Sequence, residues 1–459
     1  MIMHAEMMNM DNEHMQDLKS LTEQYQEHNK INPKYLKSDA IKFGLRNADG
    51  SGVVAGVTKI CNVHGYIMNE GEKVGVEGEL TYRGIPVQDI INGCAAEERY
   101  SFEETAFLLL MGYLPNRQQT KVFYDILAEY HELPENFTED IIMKVASPNI
   151  MNMLARSVLA LYTYDPNPED TSLDNVMRQS MELLARMPAI IAASYQVRRR
   201  IYDNKSMYLH NPKPDYSTSQ NLLRMLRSNK TFTEEEARLL DLCLTLHSEH
   251  GGGNNSTFAV RVLSSSKTDT YSAIAGGIGS LKGPRHGGAN YKVIEQLEYL
   301  KGNIRDWKDD DEIREYLRSV LKKEAGDRSG LIYGMGHAVY TLSDPRAKIL
   351  KANALKVAEG TDYYDDFMLL DAVERLTPDL LREKWGTDRP VCANIDLYSG
   401  LVYRMLGIPD ELHTAVFASA RTAGWCAHRL EELNTGSKLI RPAYRPTPSK
   451  HVYVPLEDR

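Results

Sequence analysis

The amino-acid sequence predicts a mostly α-helical fold with one small β-hairpin near the N-terminus, and three observations support this prediction. Helix signals outnumber strand signals along almost all of the 459 residues. Capping patterns stand directly before apolar runs, as they do where helices begin. Strand-like segments occur only at about 57–85, where two apolar runs flank the polar Asn69-Glu-Gly71, as in a hairpin.

Capping and stop residues predict where the helices lie. Ser101-Phe-Glu-Glu104 is a capping-box pattern before the apolar run Ala106–Met111. Thr233-Glu-Glu-Glu236 repeats the pattern before a leucine-rich helix that should end at Gly251-Gly-Gly253. Further helices are predicted over 117–131, 171–202, 290–301, 310–324, 345–358 and 410–434. The segment 203–232, rich in Asn, Lys and Ser, is predicted to be an exposed connection.

Composition predicts a soluble protein of the cytoplasm. Hydrophobic residues make up 42% and charged residues 25% of the chain, and the net charge of -9 argues against non-specific nucleic-acid binding. No apolar run reaches the ~18 residues of a membrane helix. Five widely spaced cysteines favour free thiols over a disulfide framework. Residues 1–50 form a polar N-terminal arm without the apolar core of a secretory signal.

Three proton-handling side chains in the C-terminal half stand among small or turn-forming neighbours. They are His286 in Gly-Pro-Arg-His-Gly-Gly-Ala-Asn, His337 in Gly-Met-Gly-His-Ala-Val-Tyr, and Asp396 in Asn-Ile-Asp-Leu-Tyr-Ser-Gly. Glycines let backbone or substrate approach an imidazole closely. Taken singly, His286 could be a turn histidine and Asp396 a helix N-cap. Taken together, they predict a proton-transfer site built from separate elements, with Asp396 as general base.

Two arginines indicate that the substrate is an anion. Arg346 follows Asp344-Pro345 at a predicted helix start, where the helix dipole also favours an anion, although a solvated arginine is an equal alternative. Arg421 lies among Ala and Gly residues that imply close packing and burial. No acid lies one turn away from it, so a ligand carboxylate or a distant acid must neutralise it.

Two further segments allow more than one interpretation. His247-Ser-Glu-His250 places two histidines on one helix face, but the spacing differs from the usual zinc-protease motif, so no metal site is predicted. A ligand-binding helix end that includes Asn254 is the better interpretation. The glycine-rich stretch 276–283 lacks the ending of a phosphate loop, and its glycines at 276, 277 and 279 favour close helix packing instead.

With these segments in view, the chain resembles the citrate synthase family from about residue 57 to 445. The principal motifs occur in the family's order and approximate spacing. The matching segments are Tyr82–Pro86, Ser101–Leu109, His247–His250, Gly283–Asn290, Gly334–Val339, Asp344–Arg346 and Asn394–Gly400. The resemblance implies two nearly all-helical domains in a homodimer. Residues 1–290 with 401–459 would form the large domain, and 291–400 a small domain that closes over the substrate.

The resemblance also implies the reaction, the condensation of acetyl-CoA with oxaloacetate and hydrolysis of citryl-CoA to citrate and CoA. Asp396 would remove a methyl proton from acetyl-CoA while His286 hydrogen-bonds the thioester oxygen. His337 would polarise and then protonate the oxaloacetate ketone. No cofactor is implied, since acetyl-CoA is a substrate, and neither nucleic acid nor membrane is an expected partner.

The remaining site residues are also taken from the resemblance. Oxaloacetate would contact His250, Asn254, Arg346, Arg421 and, from the partner subunit, Arg441. Acetyl-CoA would lie along Leu331, Ile332, Gly334 and Gly336, with Arg389 near the CoA phosphates.

One departure from the family pattern suggests a hypothesis. Arg285 stands where the family commonly has an apolar residue. Its charge would either keep His286 neutral by like-charge repulsion or contact the CoA phosphates.

Three alternatives to citrate synthesis stay open at this point. A 2-methylcitrate synthase would run the same chemistry on propionyl-CoA, and one methylene changes selectivity by only about 1–3 kcal/mol. A non-catalytic ligand-sensing paralogue is disfavoured by the intact catalytic positions. A metal-dependent hydrolase built on His247 and His250 is the most distant alternative.

Overall fold

The computed structural model describes residues 12–33, 35, 41–70, 72–436, 438–448 and 450–459. The chain divides into two compact units, Met1–Ala55 with Arg441–Arg459, and Gly56–Ile440. In the first unit, helix α1 spans Asn12–His28, so the polar N-terminal arm is α-helical over these residues and not over the rest of its described part. Residues 1–11, 34 and 36–40 of the predicted arm lie outside the described part.

The predicted hairpin is confirmed as the start of a small antiparallel sheet. Strands β1 (Cys61–Asn69), β2 (Glu72–Tyr82) and β3 (Ile85–Pro86) pair in that order. Glycines in the first two strands let the sheet pack closely against the segment after His337. A Cβ atom on Gly65 would lie 2.9 Å from Tyr340 Cα, and one on Gly78 would overlap the Ser343 carbonyl. The sheet therefore supports a loop that carries a predicted catalytic histidine.

The described part of Gly56–Ile440 contains fifteen α-helices, which confirms the mostly α fold. They are α2 (Val87–Ala96), α3 (Phe102–Met111), α4 (Arg117–Tyr130), α5 (Ile150–Leu161), α6 (Leu173–Tyr202), α7 (Thr218–Leu226), α8 (Glu234–His247), α9 (Asn255–Ser265), α10 (Thr270–Leu281), α11 (Ala289–Asn303), α12 (Asp310–Leu321), α13 (Pro345–Ala358), α14 (Tyr364–Trp385), α15 (Asp396–Met405) and α16 (His413–Asn434). Every predicted helix is present, with ends that differ by about four residues or fewer. Among the described residues, no helix is long and apolar enough to span a membrane.

One of the two predicted capping boxes is confirmed and the other is wrong. The Thr233 side chain accepts a hydrogen bond from the Glu236 N–H and completes a capping box at the start of α8. Ser101 makes no such bond to α3. Its N–H and Oγ instead donate to Asp241 Oδ2, at 2.7 and 2.8 Å. A carboxylate from α8 therefore binds the first amides of α3, a contact that the local pattern could not reveal.

The prediction of an exposed connection over 203–232 is wrong for its central part. Residues 218–226 form α7, which begins at a capping box between Ser217 and Gln220. Leu222, Leu223 and Met225 in this helix are buried. Two prolines and many polar residues flank this single apolar turn, so the sequence pattern favoured a loop.

Helix α16 lies at the centre of the core and packs against α6, α8, α9 and α3. Small residues allow the helices to pack closely. The predicted close packing is confirmed for Gly276 and Gly277 of α10. A Cβ atom on Gly277 would lie 2.7 Å from Val260 Cγ2 and 3.2 Å from the Trp425 ring, and one on Gly276 would overlap Leu263. Gly279 meets no atom within 4 Å, so the packing prediction is wrong there.

Candidate active site

Two loops that carry predicted catalytic residues are hydrogen-bonded to each other. The Asn394 N–H donates to the Gly334 carbonyl, and Asn394 Nδ2 donates to the Gly336 carbonyl, both at 2.9 Å. Both glycines have positive φ angles, +82° and +93°, which residues with a Cβ atom rarely adopt. The pairing holds His337 and Asp396 on neighbouring segments although they are far apart in sequence.

The protein backbone fixes the ring orientation of His337. Its Nδ1 atom accepts hydrogen bonds from the N–H groups of Val339 and Tyr340, both at 3.0 Å. The ring stacks on Tyr340 with centroids 4.7 Å apart. Because Nδ1 is an acceptor, the proton of the neutral ring lies on Nε2. His337 thus offers an Nε2–H donor for a ligand oxygen.

His286 is held in the opposite tautomer by the start of α9. Its Nε2 atom lies 2.9 Å from Ser256 Oγ and accepts from the Ser256 N–H at 3.4 Å, so the ring proton lies on Nδ1. Trp425 Nε1 donates to the same hydroxyl at 3.2 Å. Burial and then the Arg421 charge lower the pKa of His286 to about 4. The hypothesis that Arg285 keeps this ring neutral is therefore corrected, since Arg285 is exposed and Arg421 supplies the like charge.

Asp396 is the first residue of α15, but its carboxylate does not cap the helix. Asn394 Oδ1 instead accepts the Asp396 N–H at 2.9 Å, and no side-chain cap is made at the start of α15. In the described part of the chain, Asp396 Oδ1 is buried without a hydrogen-bond partner. Burial raises the pKa of Asp396 to about 6, although Arg346 and Arg421 work to lower it. The carboxylate is thus ionised at neutral pH and more basic than usual.

His250, just beyond α8, lies against His337. The two ring centroids are 5.0 Å apart at 90°, and Tyr340 lies 5.5 Å away on the same side. Burial, followed by the charge of Arg346, holds the pKa of His250 well below its ordinary value. Its Nε2 atom is buried without a partner among the described residues. His250 is a neutral group that faces His337.

Arg421 confirms the predicted burial and leaves two donors unused. The side chain is 0% exposed, and its Nε donates to the His247 carbonyl at 2.7 Å. Within the described chain, Nη1 and Nη2 are buried and have no acceptor. Burial lowers the pKa of Arg421, and Glu249 is the foremost group that opposes this shift. A buried guanidinium with two unused parallel donors suits a carboxylate ligand.

Arg346 is also buried, but it already has a carboxylate partner. Only 4% of the residue is exposed, so the alternative of a solvated arginine is wrong. Its Nε and Nη2 donate to Asp344 Oδ1 and Oδ2, at 3.1 and 2.7 Å. Asp344 also caps α13, which confirms the predicted helix start. Asp344 raises the pKa of Arg346 against the effect of burial.

The other predicted ligand residues lie in more varied settings. Asn254 precedes α9, and its Oδ1 accepts a hydrogen bond from Ser256 Oγ at 3.0 Å, next to His286. Ile332 is buried, Leu331 is 57% exposed, and Arg389 lies over the Trp385 ring at 6.0 Å. Arg441 belongs to the other compact unit. The geometry thus groups Asn254 with the catalytic residues and adds no contact that tests the CoA assignments.

Sequence reasoning missed residues that orient the catalytic groups. Ser256 and Tyr340 hold the two histidine rings, and no sequence pattern marks a serine at the second position of a helix as special. Glu249 was visible inside His247-Ser-Glu-His250, but only the histidines of that motif received a role.

Together, these groups suit an enzyme that performs acid–base chemistry on a carboxylate-bearing substrate. In the described part of the chain, Asp396 has a buried carboxylate oxygen without a hydrogen-bond partner, and its pKa responds to the charge of Arg421, whose two Nη groups are also unused. Such an arrangement suits removal of a proton from carbon, with the developing oxyanion stabilised by fixed donors.

Comparisons with known proteins identify the family. A family model described as citrate synthase, C-terminal domain, matches residues 46–443. The citrate synthase of Acidithiobacillus ferridurans is 35% identical over 396 residues, which cover 84% of this chain and 94% of that protein. The citrate synthase of Corynebacterium glutamicum is 33% identical over 396 residues, covering 84% of each chain. The chain therefore belongs to the citrate synthase family, and its activity is acyl transfer.

Solved structures agree with this assignment. The citrate synthase of Pyrobaculum aerophilum matches with a TM-score of 0.74 and 28% identity, covering 92% of this chain and 97% of that one. The Thermoplasma acidophilum enzyme, solved as a ternary complex with carboxymethyl coenzyme A and oxaloacetate, matches with a TM-score of 0.74 and 26% identity, covering 92% and 100%. The curated relatives named here are citrate synthases, which does not favour the 2-methylcitrate alternative.

Proposed function

We propose that Asp396, His286 and His337 carry out the condensation of acetyl-CoA with oxaloacetate. The observation that supports this most is the set of protonation states at the site. Asp396 is a carboxylate whose pKa is raised to about 6, and the two histidines are neutral N–H donors in opposite tautomers. Each group is thus in the form that its step requires.

The first step is removal of a methyl proton from acetyl-CoA by Asp396. A carboxylate is a weak base for a carbon acid, so the negative charge that develops on the thioester oxygen must be stabilised at the same time. His286 Nδ1–H is the donor for that oxygen, because Ser256 occupies Nε2. The product is an enol or enolate whose terminal carbon is the nucleophile.

The second step is attack of that carbon on the oxaloacetate ketone. His337 Nε2–H donates to the ketone oxygen and transfers its proton as the new carbon–carbon bond forms, because Nδ1 is fixed by two backbone amides. Water then hydrolyses citryl-CoA to citrate and CoA. No resident cofactor takes part in this scheme.

Oxaloacetate is bound through its two carboxylates. Arg421 is the primary anchor, because its Nη1 and Nη2 have no other acceptor among the described residues. Arg346 contributes while it remains bonded to Asp344, and His250 and Asn254 contribute hydrogen bonds. The solved Thermoplasma acidophilum relative contains oxaloacetate together with a coenzyme A analogue, which supports this choice of ligands.

The remaining assignments concern CoA and assembly. Residues 331–336 with Arg389 contact acetyl-CoA, and Arg285 is a second candidate for its phosphates.

The small domain, 291–400, closes over the substrates against the rest of the chain. The protein acts as a homodimer in which Arg441 completes the site of the second copy. The five cysteines are free thiols in the described structure, which supports a cytoplasmic location.

A thiol-release assay tests the proposed reaction. Purified protein is mixed with oxaloacetate and either acetyl-CoA or propionyl-CoA, and we expect faster CoA release from acetyl-CoA. Asp396→Asn should lower kcat by about 10³-fold or more, since it removes the base, while oxaloacetate still binds. No release from either thioester by intact protein, or full activity of the Asn variant, would contradict the proposal.

A further inference from the structure

Glu249, between the two histidines of the segment after α8, is a buried carboxylate that the proposed mechanism does not use. Its side chain is 0% exposed. Oε1 accepts from His428 Nε2 at 2.9 Å, while Oε2 is buried without a partner in the described chain. Burial works to raise its pKa, but His428 and Arg421 lower it below the ordinary value. Glu249 is therefore a carboxylate anion inside the protein.

A chain of hydrogen bonds fixes the position of this anion. Arg261 Nη1 donates to His428 Nδ1 at 2.8 Å, so the proton of that ring lies on Nε2 and points at Glu249. Arg261 is itself held by Glu431 and Glu432, both at 2.9 Å. The carboxylate cannot turn away without breaking this chain.

Helix α16 brings the carboxylate close to Arg421. Arg421, Gly424 and His428 are spaced by three and four residues, so they share one face of the helix. A Cβ atom on Gly424 would overlap Glu249 Oε2 and would lie 2.5 Å from the Ser248 carbonyl. Glu249 therefore lies against the turn that follows Arg421, in space that a side chain at 424 would fill.

Despite this proximity, no hydrogen bond joins the two charges. Arg421 Nη1 and Nη2 and Glu249 Oε2 are all without partners among the described residues. Asp344, by contrast, accepts two hydrogen bonds from the Arg346 guanidinium. The attraction between Glu249 and Arg421 acts through space, and both side chains are buried where charges are weakly screened.

We propose that Glu249 is a built-in counter-ion for Arg421, which offsets the cost of burying the guanidinium while leaving both Nη groups to the substrate carboxylate. The inference rests on the proposed function, in which Arg421 binds oxaloacetate. Glu249 is a positioning residue, because it acts through Arg421 and does not touch the substrate. Its loss should destabilise the free protein and strengthen oxaloacetate binding, since the ligand then supplies the missing negative charge.

The sign of the change in affinity separates this role from a purely structural one. Glu249→Gln keeps the size of the side chain and an acceptor for His428. We expect its Tm to fall by about 3 °C or more and the oxaloacetate Kd, measured by titration calorimetry, to fall about threefold or more. Asp241→Asn is the matched control, because Asp241 is also buried but is hydrogen-bonded to the start of α3. It should leave Kd unchanged, whatever its effect on Tm.

The counter-ion role can also be tested without a ligand, by comparing Glu249→Gln in the natural protein and in an Arg421→Gln background. Glu249→Gln should cost less Tm in an Arg421→Gln background than in the natural protein, because no buried cation is left unpaired. Equal losses in the two backgrounds, or an oxaloacetate Kd that does not fall in Glu249→Gln, would overturn the inference. If Glu249→Gln alone does not fold, recovery of folding in the double variant supports it, and failure of both overturns it.

The Arg421→Gln variant also keeps this inference separate from the proposed function. It should lose most of its affinity for oxaloacetate. Natural affinity in this variant would contradict the assignment of Arg421 as a ligand residue, and with it the proposed function. Lost affinity there, combined with an unchanged Kd in Glu249→Gln, would reject only the counter-ion.

Discussion

Asp396 and Glu249 each have a buried carboxylate oxygen, but their pKa values shift in opposite directions. Asp396 Oδ1 has no hydrogen-bond partner in the described chain, and burial raises its pKa to about 6. Glu249 is fully buried, yet His428 and Arg421 lower its pKa. Burial alone therefore does not decide how a carboxylate behaves. Hydrogen-bond donors and nearby cations decide which carboxylate becomes a base and which remains a fixed anion.

The contrast arises from what surrounds each side chain. Asp396 stands where a helix begins, but the Asn394 side chain accepts its N–H, so its carboxylate makes no capping bond. Glu249 is bonded to a histidine 179 residues away, and that histidine is held by Arg261. The carboxylate of Asp396 therefore remains available for chemistry, whereas that of Glu249 is held in place by hydrogen bonds.

The largest stability effect should come from Asp396→Asn, which ought to stabilise the free protein. The folded pKa of about 6 lies above the ordinary aspartate value of 3.8, so the folded state binds the proton more tightly than the unfolded state. Ionisation above pH 6 therefore costs the folded protein about 3 kcal/mol. The Asn variant avoids this cost, so its free energy of unfolding at pH 8 should exceed that of the natural protein.

The pH dependence of that difference is the control. The advantage of the Asn variant should shrink as pH falls through 6 and vanish only below about pH 3, where Asp396 is protonated in both states. Glu249→Gln should behave oppositely, because its lowered pKa gives stability that is present at neutral pH and lost in acid. Denaturant unfolding at several pH values measures both. A constant difference for Asp396→Asn across this range would show that its pKa is not raised.

How far the sequence predicted this site depends on whether a contact is local. The buried Arg421 followed from its small neighbours on one helix, and the segments around His286, His337 and Asp396 stood out by their glycines. The Ser256 contact to His286 joins positions 30 apart, and the His428 contact to Glu249 joins positions 179 apart. No spacing rule connects such positions, so these partners were missed.

The same distinction explains the fold. The Thr233 capping box is complete within four residues and was predicted correctly, whereas Ser101 is bonded to Asp241 on another helix. Six helices had no predicted range, among them α14, which continues through Pro378, and α10, which contains three glycines. Both carry residues that usually end helices, and tertiary packing overrides that preference.

The next effect concerns the space that Glu249 occupies. Gly424→Ala would place a methyl group against Glu249 Oε2 and 2.5 Å from the Ser248 carbonyl, so the variant should lose about 1–3 kcal/mol of unfolding free energy. Gly279→Ala is the matched control on α10, since its Cβ would meet no atom within 4 Å. The control should be neutral or up to about 1 kcal/mol more stable. Equal effects in thermal unfolding would mean that Glu249 does not lie against α16.

The smallest expected effect is the fall of kcat at low pH, which is the acid limb of the pH–rate profile. Asp396 must be ionised to act as a base, and its pKa is raised to about 6 by burial. The kcat should therefore fall about tenfold between pH 7 and pH 5. His286 adds nothing in this range, because its pKa is lowered to about 4 and the ring stays neutral. The limb is measured by CoA release at saturating substrates.

Another buried carboxylate must be separated from Asp396 in that experiment. Burial and the nearby Glu103 raise the pKa of Asp241, so its protonation could also change the protein in mild acid. Asp241 lies at the start of α3 and touches no group of the proposed mechanism, so Asp241→Asn should keep the same limb. Deuterated acetyl-CoA should react more slowly along the limb if proton removal limits the rate. If the acid limb disappears in Asp241→Asn, the fall in kcat reflects loss of stability on protonation of Asp241. The limb would then no longer support Asp396 as the base that titrates.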